Sequence, residues 1–243
     1  MLEHTGLNKL AGFGPVYVIN MEKSKDRNIY IQEHFKKYGV EDYSFVKAID
    51  GSSQDMSGLV QDIKSIPISN NEAACSISHL KAIEEWLSTS SSEYAIFVED
   101  DVSFETVDFW NFSWEQFLKS VNKQYDILQL AIINNFMVNP RLHLREVLDW
   151  SAAAYLIKRS YAERLIKKHK KNDMYVFSKN RYLAVSEGLL FGRALCYSIP
   201  LFTYSLDLGS SLNESHVDTV HKQSKRQTLD YWQKNQSFKL DLV

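Results

Sequence analysis

The feature that most constrains the fold of this chain is an apolar run that leads directly into three adjacent acids. Tyr94, Ala95, Ile96, Phe97 and Val98 are followed without a break by Glu99-Asp100-Asp101. A short apolar run of this kind predicts a buried strand. Open α/β sheets bind their ligands at the carboxyl ends of their strands. The three acids are therefore predicted to lie where a ligand would bind.

Three neighbouring negative charges repel one another unless a cation shares their site. Mg²⁺ and Mn²⁺ prefer carboxylates, waters and phosphates as ligands. The pattern therefore favours a divalent metal and an enzyme that handles a nucleotide diphosphate. The alternative is that the acids belong to a solvated loop or to the first turn of a helix. Other parts of the sequence are needed to choose between a metal site and this alternative.

Composition sets the size and the class of the protein. The chain has 243 residues, of which 44% are hydrophobic, enough for one α/β domain with a sizeable core. The net charge of -2 gives no reason to expect nucleic acid as a partner. Residues 1–14 are interpreted as a lead-in, disordered or left over from cloning, and residues 15–243 as a single domain.

The cysteine content and the hydropathy of the chain indicate the cellular compartment in which the protein works. Cys75 and Cys196 are far apart and do not form a disulfide framework, which favours a reducing, cytoplasmic environment. No stretch approaches the roughly 18–20 apolar residues of a membrane span. The N-terminus lacks the layout of a signal peptide. We expect no membrane span, and peripheral association with a membrane stays open.

Strand and helix patterns alternate along the chain. Residues 16–20 predict a strand, Ser24 caps a helix that Gly39 ends, and residues 45–49 predict a second strand, which together make a βαβ unit. Continued alternation favours a mostly parallel sheet covered on both faces. A Gly-x-Gly-x-x-Gly after the first strand and a Walker-type motif are both missing, which disfavours a dinucleotide site and a P-loop.

Six blocks of sequence resemble glycosyltransferase family 25, the lipopolysaccharide and collagen β-galactosyltransferase group, and they occur in the family's order. The blocks are Val18-Ile19-Asn20-Met21 with Asp26-Arg27; Ala48-Ile49-Asp50-Gly51; Glu72-Ala73-Ala74-Cys75-Ser76-Ile77-Ser78-His79; Phe97-Val98-Glu99-Asp100-Asp101-Val102; Ala154-Tyr155-Leu156-Ile157 with Ala162 and Leu165-Ile166; and Ser198-Ile199-Pro200-Leu201-Phe202. The chain departs from the family at Ala73 and Ala74, where glycines are usual, and at Ser186, where an acid is usual.

The resemblance implies a GT-A fold, which is a Rossmann-like nucleotide-diphospho-sugar transferase fold. It also implies a UDP-sugar donor, a metal ion and inversion at the anomeric carbon. Asp101 is then the expected direct metal ligand. Asp100 or Glu99 would act through water or on the donor ribose, and His216 would complete the metal site. Glu187 follows Ser186, where an acid is usual in the family, and by that position it is the expected catalytic base. The alternative is that Glu187 is an ordinary surface glutamate.

Further residues are expected to bind the donor. The full set is Asn20, Arg27, Asp50, His79, Glu99, Asp100, Lys222 and Lys225. Three of these assignments have simpler alternatives. Arg27 could pair with an acid such as Asp50 instead of a phosphate, and His79 could be a buried structural histidine. The two lysines could belong to a solvated basic helix end.

The function predicted from these residues is metal-dependent transfer of galactose or glucose from a UDP-hexose. Mn²⁺ or Mg²⁺ would be the cofactor. The acceptor would be a hydroxyl of a glycan, as in lipopolysaccharide biosynthesis, or of a hydroxylated protein side chain, as in collagen glycosylation. The departures at Ala73, Ala74 and Ser186 motivate one alternative, a GT-A-like module that binds a sugar or a partner with little or no turnover. A metal phosphohydrolase would need a second cluster of metal ligands, for which the sequence offers no convincing candidate.

Overall fold

The computed structural model describes residues 9–121, 123–208 and 217–236. Its strands are β1 (Val16–Asn20), β2 (Tyr43–Lys47), β3 (Tyr94–Glu99), β4 (Val102–Ser103), β5 (Ile127–Ala131), β6 (His143–Leu144), β7 (Ala154–Lys158), β8 (Lys170–Lys171), β9 (Met174–Tyr175) and β10 (Cys196–Tyr204). Its α-helices are α1 (Lys25–Tyr38), α2 (Asn70–Thr89), α3 (Trp114–Ser120), α4 (Arg159–His169), α5 (Ser186–Phe191) and α6 (Lys222–Asn235). Short 3₁₀ turns occur at Met56–Gly58, Ile63–Ser65, Glu105–Phe109 and Arg181–Leu183, and a π-helical turn at Val217–His221 precedes α6.

A central sheet confirms the predicted α/β class. Its strand order is β2-β1-β3-β7-β5-β10-β4, and β6 pairs with β10 outside this path. The pairs β1–β2, β1–β3 and β5–β10 are parallel. The carboxyl ends of β1, β2 and β3 therefore meet at one edge, with the acids of residues 99–101 among them.

The prediction of a mostly parallel sheet is wrong, because the sheet is mixed. Strand β7 runs antiparallel to both β3 and β5. The chain between β5 and β7, residues 132–153, contains the short strand β6 but no helix that would carry it back across the sheet. A parallel neighbour needs such a crossover, so a chain that returns without one comes back antiparallel. β4 and β6 add two further antiparallel pairs along β10.

Local sequence explains how the two helices beside the acids begin and end. Gly39 ends α1 in the left-handed conformation, at φ 68°, which a glycine adopts without steric cost. Ser24 precedes α1 as predicted, but its side chain makes no capping hydrogen bond. Helix α2 begins with a capping box in which Ser69 and Glu72 each bond the other's backbone N–H. This box fixes the start of the helix that carries Cys75 and His79.

Apolar side chains fill both faces of the sheet. Helices α2, α4 and α5 pack on one face, with Ile77 and Leu190 fully buried there. Helices α1, α3 and α6 pack on the other, where Phe104 lies at the centre of an aromatic group. The ring of Phe104 lies 5.7 Å from Phe35 and 4.7 Å from Phe202. The prediction that helices cover both faces is therefore confirmed.

His34 on α1 borders this aromatic group and makes the stability of the fold sensitive to acid. Its Nε2 accepts a hydrogen bond from the backbone N–H of Phe104 at 2.6 Å, which requires the ring to be unprotonated at that atom. Burial is the main cause that lowers the pKa of His34 to about 4, and the charge of Lys37 adds to it. The unfolded chain therefore binds a proton at this residue more readily than the folded protein does.

We expect the stabilisation from His34 to be fully present above pH 6.5 and to be lost as the pH falls towards 4. The loss is at most about 3 kcal/mol, from the difference between the two pKa values. Urea unfolding of the wild type and of His34→Gln between pH 8 and pH 4 checks this, because glutamine keeps an acceptor but does not titrate. Equal pH dependence in the two proteins would contradict the role assigned to His34.

Candidate active site

Two cavities meet at the carboxyl end of β3. The larger has a volume of about 580 Å³ and the smaller about 220 Å³. Cys75 and Glu99 line both cavities. The larger is also lined by Asp101, Trp150, Ser151, Tyr182, Glu187, Tyr204 and His221. The smaller is also lined by Lys23, Arg27, Asp50, His79 and Asp100.

Asp100 is buried and hydrogen-bonded at both carboxylate oxygens. Its Oδ1 accepts from Nη1 of Arg27 at 2.6 Å, and its Oδ2 accepts from Nδ2 of Asn20 at 2.7 Å. Burial raises the pKa of Asp100, and the charge of Arg27 opposes that shift. Asn20 and Arg27 therefore contact the acid cluster directly. Arg27 pairs with Asp100 and Asp101, while Asp50 is held by Lys23.

Asp101 differs from its neighbour because one of its two carboxylate oxygens lacks a partner among the described residues. Its Oδ2 lies 3.3 Å from Nη1 of Arg27. Its Oδ1 is buried and has no hydrogen-bond partner within the described ranges of the chain. Burial is the main cause that raises the pKa of Asp101 to about 7, and the charge of Glu99 adds to it. An unpaired buried carboxylate oxygen is costly unless a cation or a proton joins it. The oxygen therefore fits the hard-ligand chemistry of Mn²⁺ or Mg²⁺.

Glu99 and His79 form a second polar contact where the cavities join. Oε1 of Glu99 lies 3.3 Å from Nε2 of His79, and Nδ1 of His79 lies 3.1 Å from the hydroxyl of Tyr155. His79 is buried, with 1% of its side chain exposed, whereas Glu99 is 32% exposed. Cys75 lies one turn earlier on α2. Burial, with the charge of Glu99 second, raises the pKa of its thiol well above the ordinary value.

Glu187 lies in the first turn of α5, in the wall of the larger cavity. Its Oε1 accepts from the backbone N–H of Ser151 at 3.2 Å, and its Oε2 accepts from the hydroxyl of Ser186 at 3.0 Å. Ser151 has φ 95°, a conformation that non-glycine residues rarely adopt and that occurs often at functional sites. The carboxylate is therefore held by two donors and faces the cavity.

Close packing places the turn at Arg181–Leu183 beside Glu187. A Cβ at Gly188 would lie 1.5 Å from the carbonyl oxygen of Tyr182, so only glycine allows this approach. The turn brings Tyr182, which is 66% exposed, to the rim of the larger cavity.

Of the remaining predicted residues, Asp50 lines a cavity, whereas Lys222 and Lys225 line neither of the two. Asp50 lines the smaller cavity and accepts from the backbone and side chain of Ser52. Nζ of Lys225 bonds to Glu105 at 2.8 Å and to the carbonyl of Tyr204 at 3.0 Å. Lys222 is exposed on α6. His216 lies outside the described residues, whereas His221 does line the larger cavity.

Several residues of the larger cavity escaped the sequence analysis. Trp150 and Ser151 come from the long segment between β5 and β7, Tyr182 from the turn before α5, and Tyr204 from the end of β10. One sequence signal could have pointed to Trp150 and Ser151: residues 132–148, just before them, form a long stretch without a regular pattern. Long loops without their own secondary structure are often functional.

The fold and the site define a class of α/β protein whose ligand cavities lie at the carboxyl ends of parallel strands, beside an acid cluster. The chain belongs to glycosyltransferase family 25: the family's sequence model, described as "Glycosyltransferase family 25 (LPS biosynthesis protein)", matches residues 13–178. This confirms the resemblance and supports a glycosyltransferase with a sugar-nucleotide donor and an acceptor. Glu187 lies beyond the matched residues.

No curated protein sequence matches the chain. Among solved structures, A197 from STIV is similar with a TM-score of 0.42 and 9% identity, over 82% of this chain and 88% of that chain. A similarity of this size does not define the fold more closely. No helix in the described part of the chain combines the length and the apolar character needed to cross a membrane.

Proposed function

We propose that this protein is a metal-dependent inverting glycosyltransferase that moves galactose or glucose from a UDP-hexose to a hydroxyl of a glycan or of a hydroxylated protein side chain. The observation that carries the proposal is the buried Oδ1 of Asp101, which has no partner within the described residues and lies at the edge of a 580 Å³ cavity. A divalent metal that binds the diphosphate of a sugar nucleotide needs such an oxygen as a ligand, and a bound cation would offset the cost of burying it unpaired.

The smaller cavity is proposed to hold the uridine and the larger cavity the sugar and the acceptor. The smaller cavity lies where β1 and β2 end, the usual place for a ligand in an open α/β sheet. The larger cavity has the size and the mixed polar and aromatic walls of a small-molecule site. Glu99 lines both, so we assign it to the donor ribose at the junction. We propose a GT-A organisation in which residues 15–243 form a single domain.

Asp101 is proposed as the direct metal ligand, with His216 completing the site. Mn²⁺ or Mg²⁺ bound there would supply positive charge to the phosphate oxygens of the leaving UDP. Both oxygens of Asp100 already accept strong hydrogen bonds. We therefore assign Asp100 an indirect role, in which it holds Arg27 beside the metal ligand. Asn20 supports the same carboxylate.

Glu187 is proposed as the catalytic base. The acceptor hydroxyl would give its proton to a carboxylate oxygen of Glu187 while its own oxygen forms a bond to the anomeric carbon. The bond from that carbon to UDP breaks on the opposite face, which inverts the configuration. The donors at Ser151 and Ser186 hold the carboxylate in place.

Four further residues are proposed to bind the donor: Asp50, His79, Lys222 and Lys225. Asp50 borders the smaller cavity and His79 lies at the junction, so both are kept as donor-binding residues. Lys225 is held by Glu105, and Lys222 is exposed. Both lysines are kept as proposed contacts of the diphosphate. A reducing, cytoplasmic compartment is proposed because Cys75 and Cys196 are both free thiols.

A thermal-shift experiment tests the proposal. UDP with Mn²⁺ is expected to raise the unfolding temperature, because a ligand at 100 times its Kd adds about 2.7 kcal/mol of stability. ADP with Mn²⁺ serves as the control.

Hydrolysis of UDP-galactose and UDP-glucose is then measured with Mn²⁺ and after chelation. UDP binding without turnover against a broad acceptor screen would instead support the binding-module alternative. The absence of any UDP-dependent shift would reject both.

A further inference from the structure

Three side chains of different chemistry converge where the two cavities join. Cys75, His79 and Glu99 each offer one metal-ligating atom, and these three atoms lie within 4.8 Å of one another. Cys75 and Glu99 line both cavities, and His79 lines the smaller one. The cluster is therefore accessible from the ligand cavities and lies beside the acid cluster.

The position of the cluster is fixed by secondary structure and not by a loop. Cys75 and His79 are four residues apart on α2, so they share one face of the helix. Glu99 is the last residue of β3, against which that helix packs. Sites built on helices and strands hold their ligands more accurately than sites built on loops.

Tyr155 orients the imidazole of His79. Its hydroxyl lies 3.1 Å from Nδ1, while Nε2 faces Glu99 at 3.3 Å. Tyr155 itself is buried and stacks on Phe97 with ring centroids 5.3 Å apart. When Nδ1–H donates to this hydroxyl, the lone pair of Nε2 is directed into the cluster. Metal-binding histidines are commonly held in this way by a polar group on the ring nitrogen away from the metal.

We propose that Cys75, His79 and Glu99 form a binding site for a thiophilic divalent cation of the Zn²⁺ type, separate from the oxygen-ligand site at Asp101. Sulfur, imidazole nitrogen and carboxylate oxygen are the protein ligands of Zn²⁺, whereas Mn²⁺ and Mg²⁺ favour oxygen. Binding forms a zinc–sulfur bond and releases the thiol proton of Cys75 to solvent. The cavities give a water molecule access to the fourth position.

Occupancy of this site would compete with the nucleotide donor, a consequence that rests on the proposed function. The ion would sit against Glu99, the residue assigned to the donor ribose, and at the passage between the two cavities. Zn²⁺ is therefore expected to inhibit the enzyme at the donor site. Mn²⁺ is expected to leave the cysteine cluster empty and to act at Asp101.

The site is tested on the whole protein without nucleotide. Titration with Co²⁺, which reports on zinc sites, should give the strong visible bands of tetrahedral coordination and a thiolate charge-transfer band. Zn²⁺ should abolish both. Cys75→Ser should remove the charge-transfer band and lower the affinity for Zn²⁺ by about 100-fold or more, and Tyr155→Phe by about 10-fold. His79→Gln is the second ligand variant, in case Cys75→Ser is poorly folded. Cys196→Ser is the matched control, because Cys196 is the other free thiol and lines neither cavity.

Two outcomes would overturn the site: a Co²⁺ spectrum without thiolate character in the wild type, or equal Zn²⁺ affinity in the wild type, Cys75→Ser and His79→Gln. The competition is tested by measuring UDP affinity with and without Zn²⁺. Zn²⁺ should weaken UDP binding in the wild type and not in Cys75→Ser, which also controls for association of Zn²⁺ with UDP in solution. Unchanged UDP affinity in the wild type would reject the competition. A protein that binds Zn²⁺ but never UDP would reject the proposed function and leave the zinc site in place.

Discussion

Replacing Asp101 with asparagine is expected to reduce Mn²⁺-dependent hydrolysis and transfer from the UDP-sugar by about 10³-fold, the scale on which single groups that stabilise developing charge contribute. Asparagine has nearly the shape of aspartate but lacks the negative charge that holds a divalent cation. The measurement is the initial rate over a range of Mn²⁺ concentrations. The Mn²⁺-dependent rise in unfolding temperature should also disappear in the variant.

The stability of the same variant separates lost chemistry from lost folding. Burial and the charge of Glu99 raise the pKa of Asp101, so the folded protein pays to keep this group ionised at alkaline pH. A neutral side chain removes that cost. Asp101→Asn without metal is therefore expected to unfold at the same temperature as the wild type, or higher, at pH 8. The matched control is Asp230→Asn, which removes a half-exposed carboxylate on α6 outside both cavities. An active Asp101→Asn enzyme with normal Mn²⁺ dependence would refute the metal assignment.

Replacing Glu187 with glutamine is expected to lower the rate of transfer to a hydroxyl acceptor by about 10²- to 10⁴-fold, the usual contribution of a general base. The effect should fall on kcat and leave the KM for the donor close to its wild-type value. The reason is that Glu187 lines the larger cavity only, away from the proposed uridine site. Glutamine can still accept from Ser151, so the local fold should be kept.

Azide provides a sharper test of the same residue. As a nucleophile it carries no proton to remove, so it needs no base. Azide is therefore expected to restore sugar transfer in Glu187→Gln and to do little for Asp101→Asn, whose defect is in charge stabilisation. Glu115→Gln, an exposed glutamate on α3 paired with Lys119, is the matched control. If azide fails to rescue Glu187→Gln while UDP binding is intact, Glu187 has a positioning or structural role instead.

Much of the secondary structure around the site could be predicted, because local sequence determines it. The apolar run before Glu99 predicts β3, and the stripe on α1 predicts the buried residues Ile31, Phe35 and Tyr38. The start of α2 is also determined locally, because Ser69 is its N-cap residue. The side chains of Ser69 and Glu72 bond to each other's backbone, a pairing that only their three-residue spacing signals.

The direction of β7 could not be predicted from the local sequence. Its residues read as a strand in the sequence, but a strand's direction depends on how the preceding chain crosses the sheet. Residues 132–148 have no clear period, so they gave no sign that the chain would return antiparallel to β5. The connection between β5 and β7 also supplies Trp150 and Ser151 to the larger cavity, and they were missed for the same reason.

The sequence by itself determined that three acids stand at the end of a buried strand and that the chain belongs to one glycosyltransferase family, because both are properties of contiguous residues. Only the tertiary structure decided which of these acids keeps one carboxylate oxygen for a ligand. Asp100 is paired with Arg27 and accepts a hydrogen bond from Asn20, which lie 73 and 80 residues away in the chain, while Oδ1 of Asp101 is left buried without a partner within the described residues. Hydrogen bonds between elements so distant in sequence form only when the sheet brings β1, α1 and β3 together, so no local pattern can encode them.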